Sequence, residues 1–79
     1  MSLQLTLLGP TKSRTIDIEW LEIQSHEGNM VLLEGHAPAH ILIKPDTPAQ
    51  WKLTSGTVER TDIKHGFLEV RRDRALLIV

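Results

Sequence analysis

The fold is decided by residues 16–24, which read Ile-Asp-Ile-Glu-Trp-Leu-Glu-Ile-Gln. Up to Trp20 apolar and acidic residues alternate, as in a half-buried β-strand whose even positions face the core. From Leu21 onward the odd positions are the apolar ones. Because a shift of one residue turns every side chain to the other face, this change predicts a β-bulge at Trp20 and Leu21. The alternative is a regular strand in which Trp20 lies partly exposed.

The same two-residue period recurs along the chain, interrupted by breakers at the spacing typical of small all-β domains. Gly9-Pro10 ends the first strand, and Pro45-Asp46-Thr47-Pro48 is a strong break because each proline lacks an amide donor. Ser55-Gly56 is typical of a two-residue hairpin turn. No segment has the period of an amphipathic helix. The sequence predicts strands at residues 3–7, 16–24, 30–33, 39–43, 51–53, 57–63, 67–70 and 75–79.

These patterns predict an all-β fold, a small β-sandwich or flattened barrel of about eight to ten short strands. We expect a single domain over residues 1–79.

The formal net charge is −1, which provides no field to attract nucleic acid or an anionic membrane. The absence of cysteine excludes a disulfide framework and a thiolate nucleophile. With no apolar run of about 18 residues and no basic signal-peptide region at the N-terminus, we expect a soluble intracellular domain without direct membrane insertion.

Ser25-His26-Glu27 contains the three side-chain types of a hydrolase triad. A triad needs these groups to converge within hydrogen-bond reach, usually from separate segments. Neighbours on an extended chain point to opposite faces instead. No Gly-x-Ser-x-Gly elbow and no glycine-rich phosphate loop occur elsewhere in the chain. We therefore expect no catalytic residue, no bound cofactor and no enzymatic activity.

His36 and His40 are the candidate metal ligands. On one straight strand they share a face, but four steps of about 3.3 Å separate them by about 13 Å, too far for one ion with bonds of about 2.1 Å. Pro38 could bend the chain and close that distance. The preferred interpretation is two surface histidines that form hydrogen bonds, with no metal site. A small metal-dependent barrel protein is the weaker alternative.

The only basic cluster is Arg71, Arg72 and Arg74, which Asp73 interrupts. Sheets that bind nucleic acid usually combine such charges with stacking aromatic residues. The chain has three aromatic residues of the Phe, Trp and Tyr type, and the two tryptophans lie far from the cluster in sequence. The cluster therefore predicts a solvated hairpin turn, and no nucleic-acid partner is expected.

Residues 27–38 read Glu-Gly-Asn-Met-Val-Leu-Leu-Glu-Gly-His-Ala-Pro, an acidic-glycine turn that leads through an apolar strand into Gly-His-Ala-Pro. Ile43-Lys44-Pro45 and Gly66-Phe67-Leu68-Glu69-Val70 follow it in order. Over essentially the whole chain this sequence resembles the epsilon subunit of F-type ATP synthases. In that family a similar turn, Gly-His-Ala-Pro, Ile-Lys-Pro and Gly-x-Leu-Glu-Val occur at similar spacings.

The resemblance implies the N-terminal β-sandwich of that subunit, a non-catalytic part of the central stalk that serves ATP synthesis and ion transport. It would couple rotation of the gamma subunit to the membrane c-ring. The implied c-ring-facing loop is Ser25, His26, Glu27, Gly28 and Asn29. The implied gamma-facing residues are Gly35, His36, Ala37, Pro38 and His40. Because Asn29 stands where some relatives carry an acidic residue, Glu22 and Glu27 are the carboxylates available to basic groups of the ring.

The chain departs from the family at several turn positions, where Val31 and Glu34 replace a common glycine and a common proline. The sequence also stops at Val79, before the family's C-terminal helical hairpin, which is linked to inhibition of ATP hydrolysis and in some members to ATP binding. Either the subunit is naturally short or the chain is cut at this point. The resemblance then implies coupling without autoinhibition, on the cytoplasmic face of a bacterial-type plasma membrane. The alternative is a free-standing β-sandwich module that binds another protein outside a synthase. We also expect residues 75–79 to form an exposed edge that could pair with a second copy.

Overall fold

Eight β-strands make up most of the chain. The computed structural model describes residues 2–79, and within that range it contains no helix. The predicted all-β fold of about eight short strands is confirmed. The strands are β1 (Leu3–Leu8), β2 (Ser13–Ser25), β3 (Gly28–Leu32), β4 (Ala39–Ile43), β5 (Thr47–Leu53), β6 (Val58–Ile63), β7 (Gly66–Val70) and β8 (Arg74–Ile78).

The long strand β2 is the element around which the others are arranged. Its first half pairs with β1, and its second half pairs with β3 along one edge and with β5 along the other. β5 pairs in turn with β6. β1 also pairs with β8, β8 with β7, and β7 with β4. Ser25 of β2 pairs with Ile43 of β4 and closes the ring. The result is a flattened barrel that measures 30 × 27 × 18 Å.

A β-bulge allows β2 to serve both halves of the barrel. The pairing of β2 with β5 shifts between Ile18 and Trp20. Ile18 is buried before the shift, and Leu21 and Ile23 are buried after it. The predicted bulge is confirmed, but it lies slightly earlier than expected. The expectation that Trp20 faces the core was wrong, because the face is already reversed when the chain reaches this half-buried side chain.

Every strand contributes at least one side chain to the core. Burying a Leu or Ile side chain contributes about 1.5–3 kcal/mol of stabilisation relative to leaving it exposed. The alternation seen in the sequence therefore accounts for which face of each strand is inside. The buried apolar residues are Leu3, Leu5, Ile18, Leu21, Ile23, Leu32, Ile41, Ile43, Ala49, Trp51, Ile63, Leu68, Val70, Ala75 and Leu77.

The last strand is not an edge strand. β8 pairs with β7 on one side and in parallel with β1 on the other, from Gln4 opposite Arg74 to Leu8 opposite Ile78. The expected exposed edge at residues 75–79 is therefore wrong, because the first strand of the chain covers it. Within residues 2–79 the strands with one unpaired edge are β3 and β6.

The predicted break at residues 45–48 is shorter than expected. Pro45 and Asp46 form the turn, and Asp46 has a positive φ of 58°. Thr47 and Pro48 already belong to β5, with Pro48 opposite Asp62 of β6. A proline is tolerated there because, in an antiparallel ladder, every second residue directs its N–H away from the partner strand.

Candidate partner-binding surfaces

The turn between β2 and β3 carries the residues expected to face the c-ring. Ser25 is only 7% exposed; its hydroxyl donates to the carbonyl oxygen of Gly28 at 3.0 Å and accepts the N–H of Glu27 at 3.1 Å. Gly28 has a φ of +122°, with no atom within 4 Å of the place a Cβ would occupy. A glycine is therefore favoured at this position by the backbone conformation and not by a lack of room for a side chain. His26 and Glu27 lie exposed at the tip of this tight turn.

The two carboxylates expected to be available near this turn have different surroundings. Glu22 accepts a hydrogen bond from the side-chain amide of Asn29 at 3.1 Å, and its other oxygen accepts one from the amide of Gln50. Both oxygens of Glu22 are thus engaged within the sheet. Glu27 is exposed at the tip, so it is the carboxylate that the structure presents outward.

The turn between β3 and β4 carries four of the five residues expected to face the gamma subunit. Gly35 has a φ of +88°, and its N–H donates to the carbonyl oxygen of Arg72 at 2.7 Å. The N–H of His36 donates to the carbonyl oxygen of Leu33 at 3.2 Å. Ala37 and Pro38 are exposed. The hydrogen bond to Arg72 anchors this turn against the β7–β8 hairpin.

The two predicted groups of residues lie at opposite ends of β4. The β2–β3 turn meets the Ile43 end, whereas the turn with Gly35 leads into the Ala39 end, about 13 Å away along a five-residue strand. His40 is the exception among the gamma-facing candidates. It shares a recess of about 260 Å³ with Ser25, His26 and Glu27. The structure therefore places His40 between the two groups.

An exposed row of apolar side chains crosses the outside of four strands. We call Leu42, Phe67, Ile78 and Leu8 the outer apolar row. Leu42 lies opposite Phe67, Phe67 opposite Ile78, and Ile78 beside Leu8. Leu42 is 61% exposed, Ile78 and Leu8 are each 39% exposed, and Phe67 is half-buried. An unbroken row of exposed apolar residues differs from singly scattered ones, which need no explanation, and makes this face a candidate interaction surface.

Polar and charged side chains border this row on the same face. The His40 ring lies 5.6 Å from the Phe67 ring, centroid to centroid, with the planes tilted by 58°. Next to them, Glu69 pairs with Arg71 at 2.7 Å. Beyond them a recess of about 460 Å³ includes Gln4 and Arg74 in its lining. An apolar centre with a polar border is the composition of a protein–protein interface.

Sequence reasoning missed the outer apolar row. Leu42 stands between the buried Ile41 and Ile43, at a position that alternation assigns to the outside. An apolar residue at an outward position was the available signal. The extension of the row to Leu8 depends on the parallel pairing of β1 with β8, two strands at opposite ends of the chain.

A separate cluster joins β2 to β6. Arg14 contacts the two carboxylate oxygens of Glu59 at 3.1 and 3.2 Å, and the indole N–H of Trp51 donates to Glu59 at 2.9 Å. The hydrogen bond from Arg14, and then that from Trp51, holds the pKa of Glu59 below its ordinary value. Because Glu59 of β6 bonds both to Arg14 of β2 and to Trp51 of β5, this cluster connects three strands of the barrel.

The hydrolase triad and the metal site, which the sequence raised as alternatives, are not assembled among the residues that the structure describes. Ser25 uses its hydroxyl within the turn, which leaves Ser25-His26-Glu27 without the arrangement of a triad. In the part of the chain that the structure describes, no three His, Asp or Glu side chains are grouped as metal ligands would be. His36 instead places its Nδ1 2.6 Å from the carbonyl oxygen of Ala37. No helix among residues 2–79 has the length and apolar character needed to cross a membrane.

Comparison with known proteins identifies the fold. No protein-family model and no curated protein matches the chain. Solved structures do match. A chain in the mitochondrial ATP synthase of Euglena gracilis, in a structure of its OSCP, F1 and c-ring, superposes with a TM-score of 0.90 at 20% identity over 99% of this chain. This chain has the fold of an ATP synthase component.

A second solved structure agrees with the first. A chain in the central stalk and c-ring of the mitochondrial ATP synthase of Tetrahymena thermophila superposes with a TM-score of 0.85 at 17% identity over the whole of this chain. The chain spans 50% of the length of the Euglena chain and 63% of the Tetrahymena chain. The fold implied by the resemblance to the epsilon subunit is thereby confirmed.

Proposed function

We propose that this protein is a rotor-associated, non-catalytic subunit of a rotary ATP synthase. The observation that carries the proposal is the likeness of all eight strands to chains in two ATP synthase assemblies, one of them described as the central stalk and c-ring. Residues 1–79 would act as one sandwich unit that contacts a gamma-type stalk subunit and the ring. Its location would follow from membership of this membrane-associated complex; a bacterial plasma membrane remains a prediction, since both neighbours are mitochondrial.

The gamma-type subunit would dock on the outer apolar row and the turn that includes Ala37 and Pro38. The row supplies apolar area at the centre of the contact, and His40, Glu69 and Arg71 supply its polar border. The sheet beneath is paired on both sides throughout β7 and β8, so the row is held on a rigid support. A contact that transmits torque needs such a support, because a flexible surface would deform before it moved its partner.

The turn between β2 and β3 would contact the ring. Its backbone is fixed by Ser25 and Gly28, and its tip presents His26 and Glu27 to the outside. An exposed carboxylate on a tight turn can pair with basic loops of a ring without a large loss of conformational entropy. Glu27 is the residue to which we assign this contact, because Glu22 is engaged by Asn29 and Gln50.

Binding to the cognate gamma subunit tests the proposal. We expect a one-to-one complex at micromolar concentration in a pull-down or by calorimetry. Leu42→Glu should weaken it at least tenfold, because a charge would replace apolar area at the centre of the contact. Val58→Glu is the matched control, since Val58 is 51% exposed on β6 and lies outside the row. Absence of a complex with the wild-type protein would favour a free-standing binding module instead.

The contact with the ring has its own test. In a reconstituted synthase, Glu27→Lys should reduce ion pumping per ATP hydrolysed while the complex with the gamma subunit still forms. Glu22→Gln, which removes a charge already engaged in the sheet, should leave pumping near its wild-type level. Equal effects of the two substitutions would refute the assignment of Glu27.

A further inference from the structure

Strand β6 has an unpaired edge along which charged residues are exposed. It pairs with β5 alone among the described strands. Arg60, Thr61 and Asp62 are all exposed. A groove of about 550 Å³ runs beside this strand, with Leu7, Ile63 and Val79 in its lining. Such an edge offers backbone donors and acceptors to another extended chain.

The pairing with β5 determines which backbone groups of β6 face outward. In an antiparallel ladder, pairs that exchange hydrogen bonds alternate with pairs that do not. Pro48 has no N–H, so its pair with Asp62 must be a non-bonded one. The pair of Gln50 with Arg60 is then non-bonded as well. The N–H and C=O groups of Arg60 and Asp62 therefore point to the open edge.

A second copy can meet these groups in only a few registers. A symmetric dimer joins identical edges, and the two copies of β6 then run antiparallel. Placing Thr61 opposite Thr61 of the second copy brings Arg60 opposite Asp62 twice, and all the outward backbone groups of these residues meet. A slip of two residues one way places Arg60 opposite Arg60, and a slip the other way places Asp62 opposite Asp62. A slip of one residue places residues whose N–H and C=O groups point to the open edge opposite residues whose groups point back to β5, so the ladder of hydrogen bonds cannot form.

We propose that two copies of this protein associate by antiparallel pairing of their β6 edges, centred on Thr61. Opposite charges directly across a ladder and a Thr–Thr pair both favour this register, and like charges disfavour its neighbours. Arg60 and Asp62 form no ion pair within the described part of their own chain, which leaves both side chains to the second copy. The dimer is independent of any role in a synthase, because β6 lies apart from the outer apolar row.

The association should be weak. Six residues of one strand provide far less than the roughly 1,200 Å² of buried surface found in stable interfaces. We expect a dissociation constant of about 0.1–1 mM, with monomers at micromolar concentration. Sedimentation equilibrium and amide chemical shifts, followed up to millimolar concentration, report the dimer and the residues that it affects.

Charge reversal provides the decisive experiment. Arg60→Asp places Asp opposite Asp at both pairs, and Asp62→Arg places Arg opposite Arg, so each variant alone should remain monomeric. Mixing the two variants restores two attractive pairs, and we expect a heterodimer at least as tight as the wild-type dimer. The double variant, R60D with D62R, should also dimerise. Arg72→Asp, an exposed reversal in the β7–β8 turn, is the control and should not change association.

Each result bears on the proposal. Shift changes confined to β6 in the wild type, lost in both single variants and regained in the mixture, support it. A wild type that is monomeric at 1 mM refutes it, as does a dimer that Arg60→Asp leaves intact. Dispersed spectra of both single variants establish that they are folded, since their substituted side chains are exposed in the monomer.

Discussion

Gly66 is the position at which the smallest possible substitution should have a clear effect on stability. It begins β7 opposite Ile43. A Cβ built there would lie 2.7 Å from Cγ2 of Ile63 and 3.3 Å from both Cδ1 of Ile43 and the carbonyl oxygen of Ile78. Adding atoms to a filled core costs about 1–3 kcal/mol. An approach of 2.7 Å to Ile63 cannot be accommodated without movement, so the cost lies in the upper part of that range, about 2–3 kcal/mol. Replacing a glycine within a strand returns about 0.5–1 kcal/mol, so Gly66→Ala should lower the free energy of unfolding by about 1–2.5 kcal/mol.

Equilibrium unfolding in urea measures this change. The midpoint should fall while the slope of unfolding free energy against urea stays constant. The melting temperature should drop by about 5–15 °C for a chain of this size. Gly9→Ala is the control, because a Cβ there would meet only the carbonyl oxygen of Lys12 at 3.5 Å, an ordinary contact. If Gly66→Ala proved as stable as Gly9→Ala, the packing that we describe at the start of β7 would be refuted.

Three further predictions concern stability. Glu59→Gln should remove a part of the pH dependence of the folding stability. The pKa of Glu59 in the folded protein lies below its ordinary value near 4.5, so the stabilisation is present above that pH and is lost as the pH falls through the folded pKa. Acid titration of both proteins, followed by Trp fluorescence, checks this. Leu21→Ala, at a fully buried position, should cost about 2–5 kcal/mol in urea unfolding. Gly35→Ala should cost about 1–2 kcal/mol through its positive φ alone, with no atom near the new Cβ; a neutral result in the same assay would contradict this.

The exposed positions show which local features of the candidate surfaces could be predicted from the sequence and which could not. The β2–β3 turn and the exposure of His26 and Glu27 followed from a polar, glycine-containing break between two apolar runs. The hydrogen bond between Glu22 and Gln50 could not be predicted, because these residues lie 28 positions apart in sequence. The outer apolar row was missed for the same reason, since it exists only once β4, β7, β8 and β1 lie side by side.

By itself the sequence determined the local structure of this protein. Alternation determined which side of each strand is buried, because the side chains of a strand point alternately to its two faces. Glycine and proline determined most of the turns, because they restrict or extend the backbone angles available there. The reversal of phase near Trp20 was enough to predict a bulge, since one residue reverses the face.

Only the tertiary structure decided which strands are neighbours and therefore which surfaces exist. The parallel pairing of β1 with β8 covers a strand that was expected to be an edge, and among residues 2–79 the strands with an open edge are β3 and β6. Pro48 lies within β5 because its position in the ladder with β6 does not require an N–H donor. Pairing between distant strands depends on how the whole core is filled, and no short stretch of sequence contains that information.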